Sequence, residues 1–195
     1  MKKFLPLIII AIIVFGLFKW GVGINNTMVE KQETAKTQWA NVESAYQRRA
    51  DLIPNLVNTV KGYAGHEKET LEGVIQARAN ATKTTIDPTN VTPEQMAAFQ
   101  KAQSGLSGAL SKLMVVVERY PDLKANQNFL ELQSQLEGTE NRINVERNRF
   151  NATTKDYNIY IRKFPASIFA SILNFDLMTL FESAEGSDVA PTVEF

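Results

Sequence analysis

Residues 129–164 read FLELQSQLEGTENRINVERNRFNATTKDYNIYIRKF, and within them Phe129, Leu136, Ile143, Phe150, Tyr157 and Phe164 stand one heptad apart. Seven residues make almost two turns of α-helix, so side chains at this spacing share one face. Leu132, Tyr160 and Ile161 widen that face. The stretch is therefore expected to form one long amphipathic helix. It should close at Phe164-Pro165, because the residue before a proline disfavours helical backbone.

The same period extends outward in both directions. Trp39, Tyr46, Ile53 and Val60 fall seven apart, and Val42, Leu56 and Tyr63 form a companion row that Arg49 interrupts. Pro54 lies inside this segment and should kink or restart the helix, since it lacks a backbone donor. Gly62 and Gly65 mark a break before the apolar positions Leu71, Val74 and Ile75. Thr82 to Asn90, with Asp87-Pro88, reads as a loop. Thr92-Pro93-Glu94-Gln95 then offers a Thr N-cap, a proline at the first helical position and a Gln at the capping-box position. The helix it opens carries Met96, Phe99, Leu106, Leu110, Leu113, Val117 and Tyr120 in one stripe, with Gln103 out of pattern, and ends at Tyr120-Pro121-Asp122. Ala166 to Leu180 looks like a short apolar helix, and Ser183 onward like a loose tail. That short helix is expected to cap the bundle rather than lie on a membrane, because it lacks the Lys/Arg-rich polar face of interfacial helices. Heptads sustained on several segments predict an all-α fold, an antiparallel bundle of three to four long helices packed at shallow angles as in coiled coils.

Ahead of the bundle, residues 4–18 read FLPLIIIAIIVFGLF, uncharged between Lys2-Lys3 and Lys19-Trp20. Phe4, Leu5, Leu7, Ile8, Ile9, Ile10, Ile12, Ile13, Val14, Phe15, Leu17 and Phe18 are the residues expected to meet lipid. Fifteen residues at ~1.5 Å each fall short of a ~30 Å hydrocarbon core, but Gly21 to Ile24 complete a span, with Lys19 snorkelling and Trp20 at the interface. A secretory signal peptide is the competing reading. Lys19 and Trp20 stand where a cleavage region carries small residues, which favours a retained transmembrane anchor. The expected division is an anchor at 1–24, a bundle domain at 25–182 and a tail at 183–195. Positive charge before the span weakly favours a cytoplasmic N-terminus and a bundle outside.

Composition excludes several chemistries. The chain has 195 residues, Lys+Arg 21 against Asp+Glu 21, one His and no Cys. Without thiols there is no disulfide, Cys-ligated metal or cysteine nucleophile. A net charge of +0 supplies no basic field for nucleic acid. His66-Glu67-Lys68-Glu69-Thr70 begins like a zinc motif, yet Thr70 occupies the place of the second His. No phosphate loop, nucleophile elbow or dinucleotide fingerprint is present. The N-x-T triplets at Asn80, Asn90 and Asn151 read as chance. No catalytic residue, cofactor or metal is expected.

Three longer motifs carry a family resemblance: QRRADLIPNLVNTVKGYAGHEKETLEGVIQAR at 47–78, YPDLKANQNFLELQSQLEGTENRINVERNRFN at 120–151 and YNIYIRKFP at 157–165. In order and spacing they resemble the LemA family, over nearly the whole chain beyond its N-terminus. Phe150-Asn151, where that pattern often has Tyr-Asn, is a minor departure. The resemblance implies an all-α bundle on a bacterial single-pass membrane protein and no established enzymatic activity. Polar residues within these motifs are Arg48, Arg49, Asp51, Asn55, Arg78, Glu140, Asn141, Arg147, Asn151 and Asn158. Arg and Glu are expected to pair between helices while the Asn amides bond across the seam and fix register. A shared polar groove for a partner is the functional alternative.

The resulting expectation is a non-catalytic protein of the bacterial cell membrane that acts through protein–protein contacts. Leftover apolar positions and the Gly-containing anchor could also serve self-association. Two other classes stand beside it. One is an envelope hydrolase using a carboxylate pair from Glu67, Glu140 and Glu146; the other is a bundle holding an apolar ligand or lipid between its helices.

Overall fold

The computed structural model describes residues 5–182, with side chains from Ile8 onward, so Phe4, the side chains of Leu5 and Leu7, and the tail from Ser183 lie outside the described residues. The helices are α1 (Leu5–Tyr63), α2 (Lys68–Lys83), α3 (Pro93–Val117), α4 (Pro121–Lys124), α5 (Gln127–Arg162) and α6 (Ala166–Leu173). No strand occurs among the described residues. The architecture is the expected all-α bundle.

The pairing of α1 with α5 sets its frame. Asn126 donates to the Tyr63 hydroxyl, Arg49 to the Glu140 carboxylate and Gln32 to the Tyr157 hydroxyl. Between successive pairs the position on α1 falls by 14 and then 17, while that on α5 rises by the same amounts. The two helices therefore run antiparallel without a slip in register. α2 and α3 form a second antiparallel hairpin laid against them. Their loop is held by Asp87, whose carboxylate accepts from the Thr89 amide and hydroxyl and from the Asn90 amide; these bonds hold its carboxyl below the ordinary value.

Local signals explain the boundaries. The Thr92 capping box forms in full, its hydroxyl accepting from the Gln95 amide while the Gln95 side chain accepts from the Thr92 amide. Asn126 caps α5 by accepting from the Phe129 amide.

Three sequence expectations need correction. Of the kink or restart expected at Pro54, the restart does not occur: α1 runs unbroken for 59 residues. The proline ring lies on an exposed face. It removes the donor that Ala50 carbonyl would have accepted, and Arg78 Nε on α2 donates to that carbonyl instead, at 2.7 Å. Phe164 is not the last member of the α5 stripe: it follows the C-terminus of the helix and is 79% exposed. The apolar helix after it ends at Leu173, not Leu180, because Asn174 adopts a left-handed conformation, φ 57°, and closes it. Residues 175–182 then run back along α5 in extended form.

That returning segment fills space that the helices leave open. Phe181 stacks on Trp39 at 5.5 Å and meets Phe150 edge-on at 5.6 Å, while Phe99 packs on both Trp39 and Tyr46. This aromatic core joins Ile24, Met28, Val42, Ile143, Tyr157 and Met178 in one half of the bundle. A second core, built from Ile53, Leu56, Val60, Val74, Leu106, Leu113, Phe129 and Leu136, occupies the other half. Because Ile24 is buried, α1 passes from its N-terminal apolar run into the core with no linker between them.

Candidate functional site

Between the two cores lies a layer of polar side chains. Arg49, Gln103 and Glu140 stand on α1, α3 and α5 at the point where one apolar cluster gives way to the next. Arg49 is 2% exposed. Its Nη1 donates to Glu140 at 2.6 Å and to the Ser107 hydroxyl at 3.0 Å, and its Nη2 donates to the Gln103 side-chain oxygen at 2.7 Å. Gln103 uses its amide nitrogen to reach the Ala81 carbonyl on α2 at 3.0 Å, so one network touches every long helix. The guanidinium also lies over the Tyr46 ring, 5.3 Å from its centroid. Burial raises the Tyr46 hydroxyl above its ordinary pKa, with Arg147 and Arg49 opposing the shift.

The ion pair is lopsided. Arg49 is buried, while the Glu140 side chain is 48% exposed and opens onto a cavity of about 100 Å³ also lined by Ser104, Arg147 and Glu182. A fully buried pair carries a double desolvation cost; this one keeps half of its carboxylate in water. The arrangement can hold a cation inside a bundle and fix the axial position of three helices, as a buried polar residue does in a coiled coil.

Other polar residues of the motifs serve the returning segment. The Asn158 side chain donates to the Met178 carbonyl at 2.8 Å and accepts from the Met178 amide at 3.0 Å. One heptad earlier, Asn151 makes the same pair of bonds with Phe181, at 3.0 and 2.9 Å. Arg147 donates to the Glu182 carbonyl and lies over the Phe181 ring, 4.6 Å from its centroid. These amides therefore imitate the ladder of a strand partner, and they bond to extended chain rather than to another helix. Tyr157 adds a bond to the Asp176 carbonyl at 2.9 Å, and burial pushes its hydroxyl up to about 12.

Asp51 and Asn55 are not drawn into the polar layer. Asp51 accepts from Gln47 on its own helix, and the Asn55 carbonyl accepts from Thr59. Arg48 and Asp51 line a surface groove of about 750 Å³ beside Thr82, Thr84, Phe99 and Leu106. Asn141 is exposed. Glu67, Glu140 and Glu146 have separate partners: Glu67 accepts from Arg119 and Tyr120, Glu140 from Arg49, and Glu146 from Arg149. The main residue missed from sequence is Gln103. Its signal was its placement in an otherwise apolar stripe, the same anomaly that marked Arg49. Phe181 left no such trace, because its segment has no period.

Comparison with known proteins agrees with the motifs. A 180-residue alignment gives 27% identity to the magnetosome protein MamQ of Magnetospirillum gryphiswaldense, covering 84% of this chain and 66% of that protein. The magnetosome protein MamQ 2 of Paramagnetospirillum magneticum matches to the same extent. Protein LemA of Metamycoplasma hominis is 25% identical over 91% of this chain and 78% of its own length. The chain thus spans slightly under two-thirds of the length of its magnetosome relatives. Residues 38–195 match the LemA family pattern, and this chain belongs to the LemA family.

Proposed function

We propose that this LemA-family chain is a non-catalytic, single-pass protein of the bacterial envelope, whose bundle stands outside the cytoplasmic membrane and works through protein–protein contacts. The observation that carries the reading is the continuity of α1. Its segment from Ile8 is long and apolar enough to cross a membrane, and its side chains through Trp20 are exposed. The same helix enters the bundle core at Ile24 and Met28 without a joint. A bundle held this way has a set height over the bilayer and no joint between it and the span, which suits a scaffold for contacts.

The polar groups support the same reading. Both Nη atoms of Arg49 and the side chains of Gln103, Asn151 and Asn158 bond within the chain. The carboxylates named for hydrolysis do not converge in one cleft. The test has two arms. The full chain should sediment with membranes and resist carbonate extraction, and a C-terminal reporter should be active outside the cytoplasm. Crosslinking in intact cells, read by mass spectrometry from detergent extracts, should recover a defined partner or a second copy. A soluble full-length chain would overturn the anchor; monomeric mass with no crosslinked species would overturn the contact role.

A further inference from the structure

The outer face of α6 has no partner among the described residues. Ala166 and Ala170 are buried against the bundle, whereas Ile168, Ile172 and Leu173 face outward, with Ile172 69% exposed. Phe164 just before the helix and Leu177 just after it are exposed as well. Five large apolar side chains thus lie bare within fourteen residues, from Phe164 to Leu177. After the N-terminal run of α1, the other exposed large side chains of the bundle, such as Ile75, Val115 and Leu130, are scattered along it. Such a patch on a soluble surface calls for an occupant.

Its place in the fold identifies the occupant. Along α5 and α6 the chain meets α1 at ever lower numbers: Tyr157 lies against Gln32, Tyr160 against Lys31, and Phe169 against Trp20 and Gly21. The Phe169 ring crosses Trp20 at 6.3 Å, edge to face, and comes within 3.1 Å of where a Gly21 side chain would begin. The α5–α6 arm therefore travels toward the apolar run of α1, meets its end at Trp20 and Gly21 through Phe169, and turns at Asn174. Arg162 and Lys163, just before Phe164, are exposed, and so is Lys19 beside Trp20. They give the patch a cationic margin, which the composition of α6 alone does not supply. An apolar helix face with cationic flanks, next to a membrane span, has the make-up of an interfacial helix.

We propose that the outer face of α6, with Phe164 and Leu177, inserts into the headgroup–acyl boundary of the bilayer that α1 crosses. This rests on the anchor reading of α1 and adds to it a second, lateral contact with lipid. The face that holds α6 to the bundle and the face that meets lipid are different, so capping and insertion operate together. A single span leaves a bundle free to tilt; a second contact limits that tilt.

The chain has no native cysteine, so single cysteines can be placed and labelled without background. Full-length I168C and I172C, carrying an environment-sensitive fluorophore, are reconstituted into vesicles of phosphatidylcholine and phosphatidylglycerol. I12C in the anchor and K112C on the far half of the bundle are the references. The expected result is strong quenching of 168 and 172 by lipids spin-labelled near the headgroup, quenching of 12 by lipids labelled deep in the chain, and none at 112. Quenching at 12 without quenching at 168 and 172 overturns the inference and leaves the anchor intact. A blue-shifted but unquenched label at 168 and 172 overturns it in favour of a second copy covering the face. Absence of quenching at 12 overturns the anchor, and the inference with it.

Discussion

Arg49 is the residue on which the most structure converges. Replacing it by alanine empties a site shared by three helices and leaves Gln103 with an unused acceptor, so Arg49→Ala should lose about 2–4 kcal/mol in chemical denaturation. Arg49→Lys should recover little of this, because a single ammonium cannot fork between Glu140, Ser107 and Gln103. Glu140→Ala should cost only about 1 kcal/mol, since water reaches the site once the half-exposed carboxylate is gone. Tyr157 makes a pH-dependent prediction. Its hydroxyl titrates at about 12 in the fold and near 10 when unfolded, so the folded state holds the proton more tightly. The stability it contributes is whole below about pH 10 and is lost as pH rises from there toward 12. Tyr46 is shifted in the same direction. Melting temperature should therefore fall steeply above pH 10, and Tyr157→Phe should flatten that fall while costing about 1 kcal/mol at neutral pH for its lost bond to Asp176.

At the scale of elements, Pro54 and Arg78 form a coupled pair. Arg78→Ala should cost about 1–3 kcal/mol by orphaning the Ala50 carbonyl. Pro54→Ala supplies an intrahelical donor to the same carbonyl, so in a double-mutant cycle the loss at Arg78 should shrink in its presence. The start of α3 offers a simpler case: Thr92→Ala should cost about 1 kcal/mol, measured by thermal unfolding, through loss of the capping box. Much of this level was legible in sequence. Periodicity gave the long helices, and the Thr92 box placed the start of α3, because both signals are local. At Pro54 the local rule left a kink or a restart open, and the bond that makes up for the lost donor lies on another helix, at Arg78. The extended run from Phe175 to Glu182 was illegible for a related reason. It is held by Asn151 and Asn158 from twenty to thirty residues away, and extended chain paired with side chains leaves no period to read. Of the polar layer, Arg49 was visible as an interruption and Glu140 as a motif residue, but their meeting with Gln103 required the register of three helices.

For the whole molecule, the decisive feature is one unbroken helix with an exposed apolar run at one end and a core-forming length after it. Nothing described in the bundle covers Ile8 to Phe18. Deleting residues 4–18 should therefore release the protein from membranes while shifting bundle stability by less than about 0.5 kcal/mol, as read by fractionation and thermal circular dichroism. The unbroken path of α1 has a mechanical consequence. From Trp20 to Tyr63 the helix spans roughly 65 Å at ~1.5 Å per residue. Membrane helices adopt tilts across ~0–40°, and a change of about ten degrees would sweep the Tyr63 end sideways by about 11 Å. On the proposed anchor reading the chain is a lever, in which a small reorientation in the bilayer becomes a large displacement at the far tip.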